Sequence, residues 1–135
     1  MNYLIDTNVA IALINGTPER ARRQLARVLT HKHRVAVSTI SVFELESGVA
    51  HSVRRRENAD RLRAFLSGPL GIVPFDEADA PIAGRLRAEL AEQGRPIGPY
   101  DLLVAAQALR HGATLVTANV REFRRVSGLT VDDWA

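Results

Sequence analysis

Three acidic residues stand where a chain would place them to do chemistry together. Asp6 directly follows the apolar run Tyr3-Leu4-Ile5, Glu44 follows the run Arg34-Val35-Ala36-Val37, and Asp101 opens the long apolar stretch that begins at Leu102. Asn119 follows a further run, Thr114-Leu115-Val116. Each also fits a local role. Asp6 can cap the helix after it, Ser41-Val42-Phe43-Glu44 matches a capping box in which Glu44 bonds back to the Ser41 amide, and Asp101, two residues after Pro99, suits a positive helix end. Four such polar groups at four equivalent junctions is a convergence that independent caps need not produce. Carboxylates gathered within a few ångströms repel, so one takes up a proton or a cation sits between them. Oxygen donors with no Cys and no nearby His select a hard ion, Mg²⁺ or Mn²⁺. Such an ion lowers the pKa of water and neutralises charge on a leaving oxygen, so the implied chemistry is metal-assisted hydrolysis of a phosphate ester.

The elements that must position these groups can be read from the apolar pattern. Short strands are expected at Tyr3-Leu4-Ile5, Arg34-Val35-Ala36-Val37, Gly71-Ile72-Val73-Pro74 and Thr114-Leu115-Val116. Helices are expected over Val9 to Ile14, from Pro18 to near His31, over about Val42 to His51 and Arg55 to Leu66, through Ile82, Leu86 and Leu90 to a stop at Gly94, and over Leu102 to Leu109, which is apolar almost all round. Ser38 to Ser41 reads as a turn. Strands alternating with helices predict an α/β fold, a parallel central sheet with helices on both faces. In such a sheet, ligands bind beyond the carboxyl ends of the strands, where chain-distant acids meet.

The 135 residues, 46% hydrophobic and 24% charged, are the size and composition of one globular domain spanning 1–135. Cys is absent, which excludes disulfides, thiolate metal sites and a cysteine nucleophile, and fits a reducing, cytoplasmic setting. No apolar run approaches a membrane span, and the N-terminus lacks the basic start and apolar core of a signal peptide. The net charge is +3, and every basic residue but Lys32 is Arg, a side chain that grips phosphate with paired hydrogen bonds. Arg121, Arg124 and Arg125 lie just after Asn119 and are candidates for holding a nucleic-acid backbone, ahead of Arg54, Arg55, Arg56, Arg61 and Arg63. His31, His33, His51 and His111 fall at helix ends or loops and read as structural. Aromatics are only 5% of the chain, which speaks against a sheet-wide base-stacking platform.

Asn2-Tyr3-Leu4-Ile5-Asp6-Thr7-Asn8, Ser38-Thr39-Ile40-Ser41-Val42-Phe43-Glu44-Leu45 with Gly48, Ile97-Gly98-Pro99-Tyr100-Asp101-Leu102-Leu103-Val104-Ala105-Ala106 and Thr117-Ala118-Asn119-Val120-Arg121-Glu122-Phe123 resemble, in order, the motifs of PIN-domain ribonucleases, and within them VapC toxins. The likeness runs to Val131-Asp132-Asp133-Trp134, nearly the whole chain. It implies a Mg²⁺- or Mn²⁺-dependent endoribonuclease with Asp6, Glu44 and Asp101 as metal-site acids and Thr7, Ser41 and Thr117 as hydroxyls that orient them. It also implies a VapB-type antitoxin partner and a homodimer. The family's fourth acidic position, often Asp, is Asn119 here. An amide brings no charge, so Asn119 suits a positioning role, and Glu122 is a candidate fourth carboxylate.

Two other readings stay open on sequence. In an α/β phosphatase, Asp6 would be a phosphorylated nucleophile, and Asp6-Thr7-Asn8 is a worn Asp-x-Asp pattern. Such enzymes need a lysine beside the phosphoryl group, and Lys32 lies ahead of a strand, at the wrong edge. The other is a non-catalytic module that binds RNA or protein through its arginines. The sequence names neither the RNA nor the cleavage site.

Overall fold

Strands of three or four residues hold a sheet only when both faces are buried, and these are. In the computed structural model, which describes residues 1–134, Leu4, Ala36 and Leu115 pack into one apolar core while Ile5, Val35, Val37 and Val116 pack into a second on the opposite face. The elements run β1 (Tyr3–Ile5), α1 (Thr7–Asn15), α2 (Glu19–Thr30), β2 (Val35–Ser38), α3 (Thr39–Ala50), α4 (Arg55–Leu66), β3 (Gly71–Val73), α5 (Asp79–Glu92), α6 (Pro99–His111), β4 (Thr114–Val116), α7 (Val120–Phe123) and β5 (Val131–Asp132). The strands form one parallel sheet in the order β3-β2-β1-β4-β5. Residues of α1, α2, α3 and α4 pack into the core beneath Ile5 and Val37, and those of α5 and α6 into the core beneath Leu4 and Leu115. The expected α/β architecture, parallel with helices on both faces, is the observed one.

The chain moves outward from β1 to β2 and β3, then returns across the sheet to place β4 on the other side of β1. The order reverses between β1 and β4, so a crevice opens beyond their carboxyl ends. Because α6 returns antiparallel to the strands, its N-terminus comes to the same edge.

Local chemistry sets the helix starts. Asp6 is the N-cap of α1, its Oδ1 accepting from the Val9 amide at 2.8 Å, and Gly16 ends the helix at φ 72°. The last carbonyls of α1 are taken by arginines: Arg22 Nε donates to the Leu13 carbonyl at 2.9 Å, and Arg61 Nη2 to that of Ile14 at 3.2 Å. In α6, Gly98 is the N-cap, Pro99 opens the first turn and Gly112 closes the end at φ 61°.

Three expectations need correction. The stretch from Ser38 to Ser41 is not a turn: Ser38 Oγ accepts from the Ile40 amide at 3.0 Å and starts α3 at Thr39. Ser41 therefore lies inside the helix, and the capping box expected with Glu44 does not form. A fifth strand, β5, adds to the edge of β4 through bonds from the Leu115 amide to the Thr130 carbonyl at 2.8 Å and from the Thr117 amide to the Asp132 carbonyl at 2.9 Å. The short helix α7 was likewise not expected.

Two buried polar contacts tie elements together. Gln107, fully buried on α6, accepts from the Ser38 hydroxyl, so α6 is fastened to the cap of α3. Asp79, also fully buried, accepts from Arg110 Nε near the end of α6. Among the described residues no helix is long and apolar enough to cross a membrane.

Candidate active site

Asp6 leaves β1 at the carboxyl edge and is 4% exposed. Its carboxylate accepts from the Val9 and Asn8 amides and from the Thr117 side chain, all of which favour the anion, yet burial outweighs them and pushes its acidity the other way, with the charge of Glu44 adding to the rise. Thr117 is itself fully buried at the end of β4, and its Oγ1 accepts from the Asn119 amide at 2.9 Å. The Thr117 side chain thus links Asp6 to the Asn119 amide.

Glu44 sits in the second turn of α3, aimed toward α1. Thr7 Oγ1 donates to Glu44 Oε1 at 2.7 Å, and Ser41 Oγ lies 3.0 Å from the same Thr7 hydroxyl. Thr7, the first residue of α1, therefore holds one oxygen of Glu44, and the buried Ser41 in turn meets the Thr7 hydroxyl.

Asp101 lies in the first turn of α6, where the helix dipole favours a carboxylate. Its pKa is nevertheless raised to about 6, first by burial and then by the charges of Glu122, Asp6 and Glu44. That ordering brings the expected three acids into one electrostatic neighbourhood and adds Glu122. Glu122 Oε1 accepts from the Gly98 amide at 2.9 Å, and its Oε2 accepts from the Asn119 side-chain amide. Asn119, exposed and placed after β4, thus spends its amide on holding a carboxylate. Gly98 stands between the two acids: a Cβ there would meet Asp101 Oδ2 at 3.3 Å, tighter than ordinary contact.

Among the described residues no group of three or more His, Cys, Asp or Glu side chains is placed to hold a metal ion. What the site acids offer is an open, all-oxygen donor set with mutual repulsion to relieve. That fits Mg²⁺ or Mn²⁺, which take one or two carboxylates and keep water in the remaining positions, and does not fit a caged ion.

The other candidates are distributed differently. Arg121 and Arg124 are exposed beside the site, whereas Arg125 Nη1 donates to the Pro96 carbonyl at 2.9 Å and braces the loop before α6. On α4, Arg61 braces α1 as described, Arg63 faces Asp60 at 3.4 Å and Arg54 faces Glu57 at 3.6 Å. His31 and His51 bond the carbonyls of Arg27 and Ser47 at the ends of α2 and α3, and His33 packs on Tyr3, which are structural placements. Lys32 precedes β2, at the amino edge of the parallel sheet and away from Asp6, so the lysine that a phosphoaspartate enzyme needs is missing from the site.

The sequence reading did not find Gly98, whose role depends on two carboxylates folding over it, nor Phe43 and Tyr100. These two rings are exposed side by side next to Glu44 and Asp101. Their position immediately before the acids was the available signal.

A family model described as the PIN domain matches residues 3–129. A tRNA(fMet)-specific endonuclease VapC of Shigella flexneri is 35% identical over 135 residues, covering 100% of this chain and 99% of that protein. Ribonuclease VapC2 of Rickettsia felis is 37% identical over 134 residues, with 99% and 98% covered. Among solved structures, VapBC2 from Rickettsia felis bound to a DNA fragment from its promoter superposes with a TM-score of 0.93 at 36% identity over 100% of both chains. DNA-bound VapBC from Salmonella typhimurium superposes at 0.92 with 34% identity, covering 100% of this chain and 99% of that one.

Proposed function

The chain belongs to the PIN-domain family, and from that premise we propose that it is a VapC-like endoribonuclease toxin, dependent on Mg²⁺ or Mn²⁺ and neutralised by a VapB-type antitoxin. The observation that carries the reading is the arrival of Asp6, Glu44 and Asp101 from three separate elements at one edge of the sheet, in a chain whose full-length relatives are named ribonucleases. A pocket of this kind favours a cation, and the family's named activity supplies the substrate class.

In this reading Asp6, Glu44 and Asp101 hold the ion, with Glu122 as fourth carboxylate. When bound, the ion supplies charge neutralisation at the phosphate and activation of water. The chain's own residues supply position. The Val9 amide and Thr117 fix Asp6, Thr7 fixes Glu44, and the Gly98 amide and Asn119 fix Glu122. Water adds to phosphorus and the P–O3′ bond breaks, leaving 5′-phosphate and 3′-hydroxyl ends. A 2′,3′-cyclic phosphate end would mean that the RNA's own hydroxyl attacked, and would overturn this route.

The partner reading rests on the antitoxin complexes among the relatives. An open apolar groove of about 240 Å³ between α1, α3 and α4, lined in part by Ile11, Ile14, Leu45, Val49 and Leu62, reaches Glu44 and gives a protein partner a surface adjoining the site. The homodimer implied by the resemblance is read by light scattering on the purified chain.

The test is RNA cleavage with added Mn²⁺ by the wild type, Asp6→Asn and Asp101→Asn. We expect losses of roughly 100-fold or more in both variants, with melting temperatures unchanged or raised because removing one charge relieves the others. Equal activity in all three proteins overturns the assignment. RNA binding without cleavage in any of them favours the non-catalytic module.

A further inference from the structure

Of the seven aromatic side chains, Phe123 and Trp134 are buried core residues, and Tyr3, which packs against Trp134, is half-buried, as are Phe65 and Phe75. Phe43 and Tyr100 are the departures, 53% and 43% exposed. They come from different helices, α3 and α6, yet their rings meet edge to face with centroids 5.5 Å apart and planes at 68°. Each immediately precedes a site acid, Glu44 or Asp101, so the pair bridges the same two helices at the same edge of the sheet. The other exposed large hydrophobics, Ile11, Val53 and Ile72, are aliphatic.

An anionic pocket gives a polynucleotide little affinity of its own. The unpaired bases of a single strand can splay out from its backbone, and such a base stacks on an aromatic ring whatever its identity. We infer that Phe43 and Tyr100 form a stacking wall that takes an unpaired nucleobase adjoining the scissile phosphate, which selects single-stranded or looped RNA over duplex. The inference rests on the ribonuclease reading for its substrate class. It also refines the composition argument: aromatics are scarce here, but two of them are spent at the site.

The experiment uses the full chain and a short single-stranded RNA carrying 2-aminopurine beside the cleavage position, or at successive positions along the strand if no cleavage is seen. In EDTA, stacking of the probe base on the wall changes its fluorescence, and Phe43→Ala and Tyr100→Ala are expected to abolish that change. With Mn²⁺, both variants should raise KM about tenfold with little change in kcat, the pattern of lost uniform binding. Tyr100→Phe and Phe43→Trp should retain wild-type KM, and an abasic site in place of the probe should erase the difference between wild type and Phe43→Ala. If the wild type stacks the probe but cleaves nothing, the wall stands and the nuclease reading falls. If no position along the strand responds, the wall is overturned. It is equally overturned if light scattering shows that Phe43→Ala only dissociates a dimer while KM per site stays fixed, since a second copy would then be what covers the rings.

Discussion

At the scale of the single residue, Asp101 is where two opposing effects can be measured. The α6 terminus favours its anion, but burial and the neighbouring acids hold its pKa near 6 against an ordinary 3.8. A folded-state value above the unfolded one means that the native state binds more protons between those limits. The stabilisation from protonated Asp101 is therefore complete at low pH and is lost as pH rises through about 6, and Asp6 acts in the same direction. Without metal, wild-type Tm should fall across that window relative to Asp101→Asn, and Mn²⁺ should restore it most above pH 6. Mn²⁺ affinity by calorimetry should drop about tenfold per pH unit below about 6, because the ion competes with the proton. Parallel Tm profiles for the two proteins would remove Asp101 from the coupled cluster. The three acids were legible because Asp6 directly follows the β1 run, Glu44 comes soon after the β2 run and Asp101 opens the apolar stretch of α6. The balance between Asn119 and Glu122 was not, since the Gly98 amide that fixes Glu122 is 24 residues distant in sequence and no local pattern encodes it.

At the scale of the element, the acids stay together only if α3 and α6 keep their relation, and the buried contact from Ser38 to Gln107 is a direct tie between them. Gln107 also lies with its Nε2 3.4 Å from the Val73 carbonyl, beyond good hydrogen-bond length, so its main debt is to Ser38. Gln107→Leu leaves the Ser38 hydroxyl without its acceptor and should cost about 1–3 kcal/mol in urea unfolding, while Ser38→Ala loses the cap and about 1 kcal/mol. The double variant should cost less than the sum, because both singles break the same bond. Strict additivity would mean that the helices are held by apolar packing alone. β1 to β4 could be read from short apolar runs between turn residues. β5, two residues long, could not, because it exists only as an addition to the edge of β4, and α7, four residues long, is too short to show a helical period. The start of α3 was misplaced for another reason. Ser38, Thr39 and Ser41 are all cap or turn types, and only the end of β2 determines which of them caps.

For the whole molecule, charge has to be reconciled with substrate. A pocket of four carboxylates repels RNA, while the chain carries a net charge of +3 and its basic residues are arginines apart from Lys32. Backbone affinity must then come from the rim. Arg121 and Arg124 are exposed there, whereas Arg125 is engaged with the Pro96 carbonyl, and on α4 Arg61 braces α1 while Arg54 and Arg63 face acids of their own helix. Each phosphate neutralised on a single strand adds about 0.7 to the slope of log affinity against log salt. Arg121→Gln with Arg124→Gln should therefore flatten that slope by roughly 1 to 1.5 and weaken binding alike for RNAs of different sequence. Arg54→Gln with Arg63→Gln should leave the slope near that of the wild type. Because the stacking wall is non-ionic, Phe43→Ala should shift affinity at every salt concentration without changing the slope, so the two contributions separate on one plot. The opposite pattern, with the α4 pair flattening the slope and the α7 pair silent, would route the RNA across α4, over the apolar groove beside Glu44, where substrate and antitoxin would compete for the same ground.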